Sequence, residues 1–124
     1  TRLPTPDTVR TRAELEAHDG RWVQLFARLR TGSRRPDGDW CDAVVVLDDG
    51  TEVWSSMYRT TFERVWKPLL GRQVTLIGRA LRDREDARRP LKLVGPLAIC
   101  AGEVERCGMD QDVHTRNRGP IKIR

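Results

Sequence analysis

The sequence predicts a small, mainly β domain of five strands, with one short helix between the third and fourth strands. Three observations predict this fold class. Apolar and polar residues alternate along the first predicted strand. An Asp-Asp-Gly turn separates the next two strands, and a segment of helical periodicity precedes the fourth. The 124 residues suffice for one domain with a modest core.

The N-terminal region is predicted to be an extended arm followed by a short helix. Pro4 and Pro6 oppose helix formation, so residues 1–10 are expected to be extended. Thr11 and Glu14 have the spacing of a capping box, which predicts a helix that runs to His18.

The first strand is predicted over residues 21–30. One face is expected to enter the core and carries Val23, Leu25, Ala27 and Leu29. The opposite face carries Trp22, Gln24, Phe26, Arg28 and Arg30. Residues 31–39 contain two glycines and a proline and are predicted to form a loop.

The second and third strands are predicted over residues 40–47 and 51–57, as a hairpin around Asp48-Asp49-Gly50. The two adjacent carboxylates are expected to serve the turn and not acid–base catalysis. On the third strand, Trp54 belongs to the outward set.

The helix between strands three and four is predicted over residues 61–70. Thr60 and Glu63 match a second capping box. The apolar residues at helical spacing are Phe62, Val65, Trp66 and Leu69. This amphipathic helix is expected to close one end of the sheet, with Trp66 in the core.

The fourth strand is predicted over residues 73–81, and a charged loop over residues 82–90 follows it. The fifth strand covers residues 91–94, where Gly95-Pro96 kinks or ends it, and residues 97–100 are expected to extend the pairing. Hydrophobic patterning fades from Ala101 onward, which predicts an irregular C-terminal tail.

This order of strands and helix resembles the OB fold, a five-stranded Greek-key barrel. The resemblance rests on the Asp48-Asp49-Gly50-Thr51 hairpin, the helix over residues 61–70, and the Leu70–Val74 passage into the fourth strand. It covers residues 20–100 and identifies no specific family. It implies a binding site on the outer face of strands one to three, flanked by the first hairpin loop and the loop between strands four and five.

The resemblance divides the chain into three parts. Residues 1–19 are the arm and short helix, residues 20–100 the OB-type barrel, and residues 101–124 a C-terminal extension. No internal repeat and no second domain are predicted.

The residues of the expected binding face suggest single-stranded nucleic acid. Bases stack on aromatic rings, and phosphates attract guanidinium groups. The predicted stacking residues are Trp22, Phe26 and Trp54. The predicted phosphate-binding residues are Arg28, Arg30, Arg35, Arg82 and Arg84.

Two observations weigh against this hypothesis. Acidic residues in the same loops offset the arginines; they are Asp37, Asp39, Asp83, Glu85 and Asp86. In addition, the N-terminal arm or the C-terminal tail could cover Trp22 and Phe26. The alternative is a protein-interaction module, such as an adaptor, an assembly subunit or an inhibitor, because Trp and Arg are also enriched at protein interfaces.

The sequence contains no pattern typical of an enzyme, and a non-enzymatic domain without metal or cofactor is predicted. Only two histidines are present, and neither has a nucleophile in a supporting context. Cys100, Cys107 and His114 lack the Cys-x-x-Cys knuckle of a structural zinc site.

Charge, hydropathy and cysteine usage limit the remaining classes. The net charge is +5, and no apolar run approaches the roughly 18 residues of a membrane span. The odd count of three cysteines favours a cytoplasmic protein. A disulfide between Cys100 and Cys107 is the alternative, with Cys41 as a small buried residue.

Overall fold

A computed structural model of the chain describes residues 6–34, 38–104 and 107. The strands are β1 (Asp7–Val9), β2 (Trp22–Arg34), β3 (Trp40–Val46), β4 (Glu52–Tyr58), β5 (Gln73–Arg82) and β6 (Leu91–Ala101). Helix α1 covers Arg12–Ala17. The helical segment, residues 59–69, comprises α2 (Arg59–Thr61), a π-helical turn (Phe62–Trp66) and a 3₁₀ turn (Lys67–Leu69).

Strands β2 to β6 form a closed five-stranded barrel, in the order β2-β3-β4-β6-β5 with β5 paired back to β2. Closure depends on β2, because Trp22–Arg28 pairs with β5 while Arg28–Arg34 pairs with β3. A register shift between Leu29 and Thr31 marks a bulge, which bends the strand from one neighbour to the other. The predicted mainly β barrel, with its helix between the third and fourth barrel strands, is confirmed and is compatible with an OB-like barrel.

The long β2 corrects one boundary. Residues 31–34 were predicted to start a loop, but after the bulge they continue the antiparallel ladder with β3. Pairing therefore overrides the local turn propensity of Gly32, as tertiary context does for short segments. Arg35 lies outside the described residues.

The barrel core is built from the inward alternate positions of all five barrel strands. The predicted inward face of the first strand is confirmed, since Val23, Leu25, Ala27 and Leu29 are all buried. Phe62 and Trp66 of the helical segment pack against the same core from one end. At Gly78, a Cβ atom would lie 2.7 Å from Leu93 Cγ, so glycine allows β5 and β6 to pack closely.

The helical segment differs from the predicted helix in its start and its form. It begins at Arg59, and its N-cap, Tyr58, makes no side-chain capping bond, so the predicted capping box at Thr60 is wrong. Pro68 lacks an N–H group, and its ring obstructs the carbonyl four residues earlier. Consistent with this, the Lys67 N–H bonds instead to the carbonyl of Phe62, which widens the turn.

Helix α1 is capped as predicted. Glu14 N donates to Thr11 Oγ1 at 3.2 Å, and Thr11 N donates to Glu14 Oε1 at 3.2 Å. Asp49 of the β3–β4 turn accepts a 2.8 Å bond from Arg12 N at the start of the helix. That bond lowers the pKa of Asp49 and attaches α1 to the barrel.

Strand β6 is continuous, so the predicted extension beyond Gly95-Pro96 is present. Ile77 pairs with Ala98 and Arg79 pairs with Val94, which leaves residues 95–97 opposite Gly78 alone. Gly95 adopts a φ of +57°, a conformation that a bulge of this kind requires of glycine.

Candidate binding surface

The outer side of the barrel has one face that is covered by other segments of the chain. On β2 and β5, Gln24, Phe26, Thr75 and Ile77 are buried although they point away from the main core. Phe26 pairs with Thr75, and Gln24 pairs with Ile77. We call these four residues the covered face.

Residues 102–104 and Cys107, which we call the C-terminal segment, lie over this face and form hydrogen bonds with it. Thr75 Oγ1 donates to the Gly102 carbonyl at 2.7 Å and accepts from Val104 N at 2.8 Å. Cys107 N donates to Gln24 Oε1 at 3.3 Å. The buried side chains of Thr75 and Gln24 thus have hydrogen-bond partners within the protein, as buried polar groups require.

A disulfide joins Cys100 at the end of β6 to Cys107, so the structure contains the bond that the sequence left as an alternative. Cys107 is completely buried, and the bond closes the segment back onto the barrel. Cys41 is buried, as predicted, and takes no part in a disulfide.

Phe26 is not accessible to a ligand in this structure. Its side chain is 5% exposed, and the Arg10 guanidinium lies 4.4 Å from the ring centroid. Arg10 is in turn 3.5 Å from Glu103 of the C-terminal segment. Trp22, at the end of the same strand, is half-buried. We therefore leave Phe26 out of the candidate surface.

The outer face of β3 and β4 is partly exposed: Asp42 and Val44 are buried, Trp54 is half-buried, and Tyr58 is exposed. We define the Trp54 surface as Trp40, Asp42, Trp54, Ser56 and Tyr58 of these strands, together with the 83–90 loop that borders them. The hairpin register pairs Trp40 with Tyr58, Asp42 with Ser56, and Val44 with Trp54. Aromatic residues therefore lie on both sides of the Asp42–Ser56 pair, with Trp40 and Tyr58 on one side and Trp54 on the other.

Trp40 and Tyr58 form one aromatic platform. Their ring centroids are 4.5 Å apart with an interplanar angle of 25°, which is a stacked arrangement. Tyr58 is 59% exposed, an unusual position for a large aromatic ring that has no ligand to cover it. Sequence analysis missed Tyr58; counting pairs outward from the Asp-Asp-Gly turn places it opposite Trp40.

Trp54 forms the second platform, and Arg89 lies over it. The Arg89 guanidinium carbon is 4.3 Å from the Trp54 ring centroid, a cation–π distance. Arg89 Nη1 is 2.7 Å from Asp42 Oδ2, and Ser56 Oγ donates to Asp42 Oδ1 at 2.7 Å. The Asp42 side chain is only 4% exposed, so it holds Arg89 from beneath the surface.

Lys92 of β6 ties the 83–90 loop to the barrel. Its Nζ lies 2.9 Å from Asp83 Oδ2 and 3.3 Å from Asp86 Oδ2. The hydrogen bond from Lys92 lowers the pKa of Asp83, and the same bond raises the pKa of Lys92. The remaining oxygens accept backbone N–H groups of the loop, from Glu85 to Asp83 and from Arg88 and Arg89 to Asp86.

A cavity of about 160 Å³ opens between this loop and the strands. Its lining includes Trp54, Asp42, Arg89, Lys92 and Val94. A space of this size, with an aromatic wall and charged rim, can accept part of a planar ligand but not enclose a large one.

The loop acids are used within the loop and do not pair with its outer arginines. Among the described residues, the exposed side chains of Arg82, Arg84 and Arg88 form no ion pair or hydrogen bond. Two of the three loop carboxylates, Asp83 and Asp86, thus pair with Lys92, while the outer guanidinium groups stay exposed. Of the two predicted arginines, Arg84 lies in this loop and Arg82 is the last residue of β5.

Arg28 and Arg30 project from β2 and make contacts within the protein. Arg28 donates to the Gly71 carbonyl, and Arg30 pairs with Glu52, which lies two residues from Trp54 on β4. Both side chains are exposed, but their donors are partly engaged within the protein.

The sequence matches no protein-family model, and no curated protein matches it at a significant level. Across residues 6–34, 38–104 and 107, no three His, Cys, Asp or Glu side chains are grouped as metal ligands. No helix in the described part of the chain has the length and hydropathy to span a membrane.

Proposed function

We propose that this chain is a non-enzymatic, OB-like binding domain that binds single-stranded nucleic acid on the Trp54 surface. The observation that carries the proposal is the exposed aromatic face of β3 and β4 beside a loop whose outer arginines are unpaired. Aromatic rings accept any base by stacking, and guanidinium groups accept phosphates.

The spacing of the two platforms suits two nucleotides that are separated by one other nucleotide. Tyr58 and Trp54 are four residues apart on one strand, or about 13 Å at 3.3 Å per residue. Two bases at these positions, each contributing about 1–3 kcal/mol, and the nucleotide between them give a footprint of about three nucleotides.

The test is a fluorescence titration of the protein with a single-stranded decanucleotide, as DNA and as RNA, at low and moderate salt. We expect quenching of tryptophan emission and weaker binding as salt rises. The logarithm of the affinity should fall with a slope of about −0.7 for each phosphate contact. Replacement of Arg82, Arg84 and Arg88 together by alanine should make that slope shallower.

Arg64 provides the matched control. It is an exposed arginine on the helical segment, away from the Trp54 surface. Arg64→Ala should change affinity much less than Arg84→Ala. Absence of binding at low salt, or an equal loss from Arg64→Ala, would refute the proposal.

A protein partner is the second candidate, and one observation favours it. Leu81 and Val94 are 40% and 44% exposed and lie diagonally across the β5–β6 ladder, next to the cavity. A partner that covers these side chains would bury apolar area. Light scattering and co-purification with the wild type and with Leu81→Asp would test it, and loss of an associated species in the variant would support it.

A further inference from the structure

Arg89 occupies the ring face that a base would otherwise use. Its guanidinium lies 4.3 Å from the Trp54 centroid, yet the Arg89 side chain keeps 40% of its exposure. The guanidinium carbon therefore lies over the indole ring while the side chain as a whole stays partly exposed. A base that approaches Trp54 from solvent meets Arg89 first.

Two contacts besides the Trp54 ring hold Arg89 in this position, and each is supported by a further side chain. Asp42 pairs with Nη1 at 2.7 Å from a buried site, and Ser56 donates to that same carboxylate. The Arg89 backbone N–H donates to Asp86 at 3.1 Å, and Asp86 lies 3.3 Å from Lys92. Displacing Arg89 would leave the Asp42 carboxylate without this partner in a site with almost no exposure, which is unfavourable.

We propose that Arg89 is itself the stacking residue: a nucleobase stacks on the exposed face of its guanidinium, as the third layer over Trp54. This inference rests on the proposed function and assigns the base-binding position within it. Guanidinium planes stack on bases as aromatic rings do. Asp42 is a positioning residue, because it orients Arg89 and does not contact the base.

The proposal distinguishes planar stacking from charge. Lysine keeps the charge of Arg89 but has no planar group on which a base can stack. We expect Arg89→Lys to weaken oligonucleotide binding about tenfold, the size of one lost stacking contact. The salt dependence should stay the same, because the number of charges is unchanged.

Arg64 supplies the matched control for the exchange of arginine by lysine. It is exposed on the helical segment and has no assigned role in binding base or phosphate. Arg64→Lys should therefore bind within about twofold of the wild type, because it makes the same exchange outside the Trp54 surface. Thermal unfolding of all variants shows whether each one is folded.

Asp42→Asn tests the positioning role by the sign of its effect. Removing a negative charge beside a polyanion should strengthen binding if charge alone matters. Loss of the Arg89 contact should instead weaken binding. Weaker binding by folded Asp42→Asn supports the proposal, and tighter binding contradicts it. If this variant does not fold, the comparison of Arg89→Lys with Arg64→Lys still decides.

The outcomes separate this inference from the proposed function. Wild-type binding that Tyr58→Ala weakens and Arg89→Lys leaves unchanged would overturn the role of Arg89 alone. Tighter binding by Arg89→Ala would also overturn it, because the base would then stack on Trp54 directly. Absence of any wild-type binding would overturn both.

Discussion

The covered face and the Trp54 surface contain the same local arrangement but differ in what lies above it. On the covered face, Arg10 lies 4.4 Å from the Phe26 centroid, and on the Trp54 surface Arg89 lies 4.3 Å from the Trp54 centroid. Phe26 is 5% exposed because the C-terminal segment closes over its strand, whereas Trp54 is half-buried. An arginine over an aromatic ring is therefore not by itself a sign of a binding surface.

The difference arises from which parts of the chain reach each face. The covered face receives Arg10 from the N-terminal region, and Glu103 and Cys107 from the C-terminal segment. The Trp54 surface includes the 83–90 loop, of which Asp83 and Asp86 pair with Lys92. Phe26 is thus covered by other segments of the chain, whereas Trp54 stays partly exposed.

The largest expected difference between the two faces is in how much an aromatic ring on each contributes to the free energy of unfolding. Phe26→Ala should reduce the free energy of unfolding by about 3 kcal/mol, because a buried ring is lost and a cavity remains. Tyr58→Ala, on the Trp54 surface, should cost less than about 1 kcal/mol. Urea denaturation followed by circular dichroism measures both. Equal losses would contradict the distinction.

The disulfide gives the next largest effect. Cys107→Ser should destabilise the protein by about 2 kcal/mol, from the entropy of a short closed loop in the unfolded chain. Denaturation with and without a reductant measures the same quantity in the wild type. Oligonucleotide affinity should hardly change, because the segment covers the other face. A large loss of affinity on reduction would show that the two faces are coupled.

Removal of one aromatic platform should affect binding with little effect on folding. Tyr58→Ala should weaken oligonucleotide binding by about 1 kcal/mol, the lower end for a stacked base. Tyr58→Phe keeps the ring and should bind as the wild type does. Titrations of both variants at one salt concentration make the comparison. Equal losses in the two variants would point to the hydroxyl group and not to stacking.

The smallest expected effect is the pH dependence of the 83–90 loop. Because Lys92 lowers the pKa of Asp83, the contact between the two side chains stabilises the fold at neutral pH. This stabilisation is lost as the pH falls below about 4. The pKa of Lys92 is raised, so its contribution is lost only as pH rises above about 10. NMR shifts of the Trp54 indole should be constant between these limits. Lys92→Met should move the acid transition to higher pH, because Asp83 then lacks the cation that lowers its pKa. A transition near pH 7 in the wild type would contradict this account.

Alternation and turn chemistry were sufficient to predict the barrel. The inward residues of β2, the Asp-Asp-Gly hairpin and the α1 capping box follow from local rules and are confirmed. For the helical segment, only the position was predicted correctly. Its start and form were not, because the effect of Pro68 on the preceding turn competes with the capping signal at Thr60. The division of the chain at residues 20 and 100 stays a prediction, as does the cytoplasmic location.

The sequence by itself determined which residues point inward and which outward, because the two-residue period of a strand is a local property. Only the tertiary structure decided which outward residues are exposed. Phe26 and Trp54 have equivalent patterns, but a segment some eighty residues from Phe26 covers its face. Likewise, composition gives the charges of the 83–90 loop, but the fold decides which of them are paired. Lys92, which pairs with Asp83 and Asp86, is placed there by β6. Long-range contacts of this kind leave no periodic signal in the chain.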